Sequence, residues 1–226
     1  MKELEKKLGY EFRDGALFST AMVHSSYANE NRHAAIRCNE RLEFLGDSVL
    51  GLVVARHLFL KCPDMPEGRM TRLRAELVCE QSLYGVAQRL ELGKYLMLGK
   101  GEELTGGRER QSILADCVEA LIAAMYLDGG MEVASDFIHR MILDGFDPKA
   151  HIHTGDHKTE LQELVQRRSG QVLAYEMIGQ SGPDHCKLFT ARVTLNGVDI
   201  GQGEGHSKKE AEQAAACRAL QELRKK

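Results

Sequence analysis

The 226-residue sequence predicts an all-α domain followed by a small α+β domain of order α-β-β-β-α. Three observations carry that reading. Through residues 1–145 apolar residues recur at three- and four-residue spacing, as helices buried along one face require. The stretch GFDPKAHIHTGD, residues 145–156, then breaks the pattern with Gly, Pro and His. Beyond it the period changes to two, and Asn196-Gly197 supplies a strong hairpin signal. We place the first domain at 1–147, a linker at 148–155 and the second domain at 156–226.

In the first domain the charged start MKELEKKLGYEF lacks the apolar core of a signal peptide. EFLGDSVLGLVVARHLFL, MTRLRAELVCEQSLYGVAQRL and SILADCVEALIAAMYL each read as a helix, and no segment alternates as a strand would. In the second domain KTELQELVQRR is a helix with Leu161, Leu164 and Val165 on one face. VLAYEMIG is the first strand. CKLFTARVTL is the second, with Phe189, Ala191, Val193 and Leu195 inward. VDIGQG is the third strand. Ser207 caps a last helix, KKEAEQAAACRALQEL, whose alanines permit close packing.

Composition excludes several classes. No apolar run reaches the roughly 18 residues that cross a bilayer. The six cysteines, at 38, 62, 79, 117, 186 and 217, form no C-x-x-C pair, and the nine histidines show no metal-binding spacing. We expect reduced thiols in a cytoplasmic protein. The net charge of −3 does not advertise nucleic-acid binding. Residues 1–155 hold 19 Lys and Arg against 23 Asp and Glu, and residues 156–226 hold 11 against 10. That asymmetry decides nothing by itself.

The acids are more informative. In CNERLEFLGDSVLGLVV, Glu40, Glu43 and Asp47 precede a nearly unbroken apolar run. On a helix these three lie within roughly 60° of one another. A second apolar helix carries Asp116 and Glu119, one turn apart, and Glu67 sits in the loop-like CPDMPEGRM. A solvated face would bring Lys, Gln and Ser with its acids, whereas these helices offer Val, Leu, Ala and Ile. Unpaired carboxylates are costly to bury and raise one another's pKa unless a cation neutralises them. A hard divalent ion with oxygen ligands fits. One or two Mg²⁺ ions held this way would activate water and stabilise charge on a phosphodiester.

NERLEFLGDSVL (39–50) closely resembles the signature of bacterial ribonuclease III. LGYEFRDGALFSTAMVHSSYANE resembles that family's N-terminal segment. PEGRMTRLRAELV and GGRERQSILADCVEALIAAMYLD resemble its next two blocks. The last 70 or so residues, with GPDHCKLF and GEGHSKKEAEQAAA, resemble its double-stranded-RNA-binding domain. The likeness spans almost the whole chain in the family's domain order. It implies an all-α endonuclease domain, then a double-stranded-RNA-binding domain. It also implies a Mg²⁺-dependent endoribonuclease, with Mn²⁺ able to substitute and no small-molecule cofactor. The enzyme would act as a homodimer on rRNA, mRNA or small-RNA precursors, leaving 5′-phosphate and 3′-hydroxyl ends with short 3′ overhangs.

The resemblance assigns residues individually. Glu43, Asp116 and Glu119 fall on direct metal ligands, and Asp47 completes the essential acidic quartet, directly or through water. Glu40 and Glu67 fall on acids of the same cleft with subtler catalytic roles. Phe44 matches an aromatic that plugs into the partner subunit, and an ordinary core phenylalanine is the competing reading. Val23 stands where the family more often has Thr, a departure we expect to be harmless. His24 beside it has no adjacent carboxylate, so we expect a structural role.

In the second domain Thr159, Gln162 and Glu163 match minor-groove contacts of the first helix. The loop Gly182-Pro183-Asp184-His185 matches a second such contact. Ser207, Lys208 and Lys209 open the last helix, where both side chains and the helix N-terminus favour phosphate. An A-form duplex is read by shape through such contacts over about 16 base pairs. Two other functions compete. A non-cleaving double-stranded-RNA-binding protein would have lost one of the quartet acids, and all four are present. A helical phosphohydrolase acting on nucleotides would not need the second domain.

Overall fold

The computed structural model describes residues 1–34, 36–146, 157–166, 170–183 and 187–223. The chain divides into two compact units, Met1–Pro148 and Lys149–Lys226. The expected linker 148–155 lies outside the described residues.

In the first unit, α1 (Lys2–Leu8), α2 (Gly15–Ala21) and α3 (Ser25–Glu30) lead to α4 (Glu40–Lys61). α5 (Glu67–Val78), α6 (Glu80–Leu90), α7 (Lys100–Leu104) and α8 (Gln111–Ile138) follow. α4 and α8 form the centre. Leu50, Val54 and Leu58 from α4 and Leu121, Ile122 and Met125 from α8 are all essentially inaccessible. α4 starts where Asn39 is tied down: its N–H donates to Val23 O at 2.8 Å, and its side-chain amide reaches Ala21 O at 3.4 Å. α8 is broken at Gly130 (φ 86°, ψ 179°). Just before the break, Asp128 accepts from Tyr10 Oη at 2.6 Å and from the N–H groups of Arg13 and Asp14 at 2.9 and 2.8 Å. One carboxylate thereby fixes the path of the N-terminal segment.

Two expectations need correction. MTRLRAELVCEQSLYGVAQRL is not one helix: Cys79 is extended (φ −68°, ψ 157°) and separates α5 from α6. No Gly or Pro marks the break. Leu73, Leu77, Leu83 and Val86 stay buried across it, so the apolar pattern runs on while the backbone turns. Glu67 is not in a loop either. It is the first residue of α5, where Pro66 (φ −59°) presets the entry and an acid suits the positive end of the helix.

In the second unit α9 (His157–Gln166) precedes β1 (Leu173–Ser181), β2 (Leu188–Leu195), β3 (Val198–Gly205) and α10 (Lys208–Leu223). The sheet is antiparallel in the order β1-β2-β3. Asn196 and Gly197 both take positive φ (52° and 81°), as a type I′ hairpin turn requires. Leu161, Val165, Ala191, Val193 and, from α10, Ala211, Ala215, Ala216, Ala219 and Leu220 form the core, with Phe189 and Leu195 packed against it. α10 lies directly on the β3 backbone. A Cβ at Gly203 would fall 2.1 Å from Ala215 N, and one at Gly201 2.7 Å from Ala215 O.

The tightest approach in the first unit is at Gly46 of α4. A Cβ there would lie 1.9 Å from Glu119 O of α8. Gly46→Ala must therefore force the two central helices apart. We expect it to cost on the order of 2 kcal/mol or more, as overpacked cores do. A urea midpoint unchanged from wild type would refute this.

Candidate metal centre

α4 and α8 bring the acids together. Glu40, Glu43 and Asp47 leave the first three turns of α4, and Asp116 and Glu119 leave the second and third turns of α8. Glu43, Asp116 and Glu119 each present a carboxylate oxygen, and the three oxygens all lie within 4.8 Å of one another. All three residues are half-buried. The helices hold them through buried neighbours: Leu42, Val49 and Leu50 on α4, and Ala115, Cys117, Val118 and Ala120 on α8.

The electrostatics are those of crowded like charges. Burial, followed by the charges of Asp47, Asp116 and Glu43, pushes the Glu119 carboxyl up to about 8. Glu43 is raised by burial and by Asp116, Glu40 and Asp47. Asp116 is raised by burial and by Glu80, with His24 opposing. Without a cation such a cluster holds a proton it would otherwise lose. Three convergent, half-buried carboxylates with no amine in the cluster fit a hard divalent cation with oxygen ligands.

The other sequence-predicted residues fall around this cluster or away from it. Asp47 lies outside the group of three, although its charge acts on both Glu119 and Glu43. Glu40 adds its charge to Glu43 and accepts from Cys38 Sγ at 3.5 Å. Glu67 is not gathered with them in one chain. Its Oε1 accepts from Thr71 Oγ1 at 2.7 Å, and it lines a surface groove with Leu52, Phe59, Met70 and Arg74. Phe44 is 77 % exposed, which removes the reading of an ordinary core phenylalanine. Leu52 (58 %) and Phe59 (68 %) are exposed on the same helix.

Sequence reasoning missed Glu80 near the cluster and gave His24 no electrostatic part in it. Glu80 opens α6, and only the tertiary fold carries its charge to Asp116. The charge of His24 also acts on Asp116, 92 positions away in sequence. Its structural role also stands: Nδ1 accepts from Ser26 N–H and lies 2.8 Å from Ser26 Oγ, capping α3.

In the second unit Thr159, Gln162 and Glu163 lie on one side of α9, opposite the buried Leu161 and Val165. Ser207 Oγ accepts from Glu210 N–H at 3.2 Å and caps α10, leaving Lys208 and Lys209 exposed in the first turn. Pro183 lies in the loop after β1, while Asp184 and His185 lie outside the described residues.

Residues 14–146 match the family model described as Ribonuclease-III-like, and residues 157–223 match that of the double-stranded RNA binding motif. The chain belongs to the ribonuclease III family. It is 47 % identical over 222 residues to Ribonuclease 3 of Listeria monocytogenes serotype 4b, covering 98 % of this chain and 97 % of the relative. It is 52 % identical over 223 residues to Ribonuclease 3 of a Geobacillus species, covering 99 % and 91 %. The solved nuclease domain of ribonuclease III from Campylobacter jejuni superposes with a TM-score of 0.60 at 42 % identity, covering 64 % of this chain and 97 % of that one. The fold is thus a helical ribonuclease III nuclease domain followed by a double-stranded-RNA-binding domain, and the chain is an enzyme of that family.

The cluster's electrostatics give a pH prediction for the ion-free protein. Glu119 holds its proton more tightly when folded than at its ordinary value of 4.5. Its contribution to stability is therefore fully present below about pH 4.5 and is lost as pH rises through about 8. In EDTA the melting temperature should fall between about pH 5 and pH 8. Added Mg²⁺ should raise it more at pH 8 than at pH 5. A wild-type melting temperature that rises across this window, or the same fall in Glu119→Gln, would count against the assignment.

Proposed function

We propose that this ribonuclease III is a Mg²⁺-dependent endonuclease that acts as a homodimer on duplex RNA in the cytoplasm. Its products carry 5′-phosphate and 3′-hydroxyl ends with short 3′ overhangs. The observation that carries the reading is the convergence of Glu43, Asp116 and Glu119 on one point of a rigid helix pair. These three would hold the ion, with Asp47 and Glu40 adding negative charge around it. A bound Mg²⁺, or Mn²⁺ in its place, supplies Lewis-acid activation of water and charge neutralisation at the phosphodiester. No small organic cofactor is needed for that chemistry.

The chain's own residues do the rest. α4 and α8 fix the carboxylates, so no reorganisation is needed as charge develops. The second domain holds the substrate. Thr159, Gln162 and Glu163, with the Pro183–His185 loop, would meet successive minor grooves. The start of α10, with Ser207, Lys208 and Lys209, would meet the phosphates between them. Phe44, Leu52 and Phe59 form an exposed apolar stripe on α4, a surface suited to a second copy of the chain. A solved ribonuclease III nuclease domain from Campylobacter jejuni is itself described as having a region involved in dimer formation. Glu67, apart from the cluster within one chain, borders the same apolar surface, so a partner could bring it into the cleft.

Two measurements test the reading. A long RNA duplex should be cut in Mg²⁺ and remain intact in EDTA. Glu119→Gln should reduce cutting by about two to three orders of magnitude, on the scale of losing one major electrostatic stabiliser, while duplex retention in a gel shift stays near wild type. Cutting in excess EDTA would sink the metal mechanism, and equal loss of binding would sink the division of labour.

Phe44→Asp should leave the circular dichroism of the folded protein unchanged, because the ring is exposed in the single chain, yet shift the protein from dimer to monomer by light scattering. A wild-type monomer, or a Phe44→Asp dimer, would remove this surface as the interface.

A further inference from the structure

Lys158 is out of place for a solvated cation. On α9 it lies in line with Leu161 and Val165, along the stripe that faces the core. Its ammonium group is turned inward to two elements, α10 and β1. Nζ donates to Glu212 Oε2 of α10 at 2.6 Å and sits 4.4 Å from the centre of the Tyr175 ring of β1. Its backbone N–H donates to Gln213 Oε1 of α10 at 3.1 Å. Both ends of the ion pair are substantially shielded, with side-chain exposures of 33 % and 27 %. An ion pair, a cation–π contact and a backbone hydrogen bond thus converge at the first turn of α9.

We propose that Lys158 is a positioning residue for duplex binding, locking the start of α9 to α10 through Glu212 and Gln213. Thr159 follows it directly, and Gln162 and Glu163 lie one turn on. At the other end of the lock, Glu212 is one turn beyond Lys208 and Lys209 on α10. The groove-facing helix and the phosphate-facing helix start are therefore held at one fixed spacing before RNA arrives. A rigid A-form duplex rewards that preorganisation, because its grooves and phosphates come at fixed intervals. This inference rests on the RNA-contact reading of α9 and α10 given above.

The full-length chain should be titrated with an RNA duplex in EDTA, across a salt series, at a temperature where circular dichroism shows every variant folded. Lys158→Met keeps the stem and loses the charge, and Glu212→Gln removes its partner. Each should weaken binding about five- to tenfold, the scale of one shielded ion pair with a cation–π contact. The slope of log K against log salt should stay at the wild-type value, because no phosphate contact is lost. Lys158→Arg, and the charge swap Lys158→Glu with Glu212→Lys, should recover most of the affinity. Because every variant is folded at the temperature of the titration, loss of fold stability cannot account for the weakening.

A slope reduced by nearly one unit in Lys158→Met would instead make Lys158 a phosphate ligand and overturn the lock. Affinity unchanged in both single variants, or no recovery in a folded swap, would also overturn it. Lys208→Ala with Lys209→Ala, run alongside, should lower the slope. If that pair leaves binding and slope untouched, the contact reading of α10 falls and the lock loses its purpose with it. If it lowers the slope while Lys158→Met binds like wild type, the lock alone falls.

Discussion

The close crossing of α4 and α8 governs the first unit. Where Gly46 meets the Glu119 carbonyl there is no space for a side chain, so the two backbones touch directly. That contact sets the distance between the carboxylates each helix carries. Glu43 and Asp47 flank Gly46 on one helix, and Asp116 and Glu119 occupy the facing turns of the other. A crossing wider by one side chain would move the oxygens beyond the reach of a common ion. The surrounding core keeps the crossing fixed, with Leu50, Val54, Leu121 and Ile122 fully enclosed around it.

The same crossing has an electrostatic cost. Burial and mutual repulsion raise Glu43, Asp116 and Glu119 together. A fold selected only for stability would not place them so. The large apolar interface between α4 and α8 offsets the repulsion, because packing between the helices continues well beyond the acids. The acids occupy only one end of that interface, near the starts of both helices, where the α4 dipole also favours the negative charge of Glu40 and Glu43. The result is a site held open against its own charge, which is what a cation-binding site needs before its ion arrives.

Much of this was legible in the sequence, for a physical reason. Acids embedded in apolar helical periodicity break the usual rule that charge accompanies solvent. That contradiction pointed to Glu40, Glu43, Asp47, Asp116 and Glu119 together before any geometry was known, and only the family resemblance singled out Glu43, Asp116 and Glu119 among them. Asn196-Gly197 likewise announced its turn, because few other pairs accept two successive positive φ values. What could not be read depended on contacts remote in sequence. The break at Cys79 has no local signal, since the apolar pattern continues through it. Glu80 and His24 act on Asp116 only through folding. The exposure of Phe44 depends on which face of α4 the core covers, and one apolar residue among many does not reveal that. Gly46, Gly201 and Gly203 are ordinary letters until another backbone is seen pressing on them.

The two units solve opposite electrostatic problems. The nuclease unit concentrates like charge and relies on packing to tolerate it. The second unit must attract a polyanion with almost no net charge of its own, so the arrangement of its cations matters more than their number. Lys208 and Lys209 are exposed at a capped helix start, whereas Lys158 is drawn inward to Glu212 and Tyr175. A lysine spent on geometry cannot also neutralise a phosphate. Duplex recognition by shape makes that exchange reasonable: when a ligand is rigid and repeats at fixed spacing, holding two contact surfaces in register can gain as much as one more charge. It also accounts for the near-neutral composition of this domain, which gave so little sign of a nucleic-acid partner.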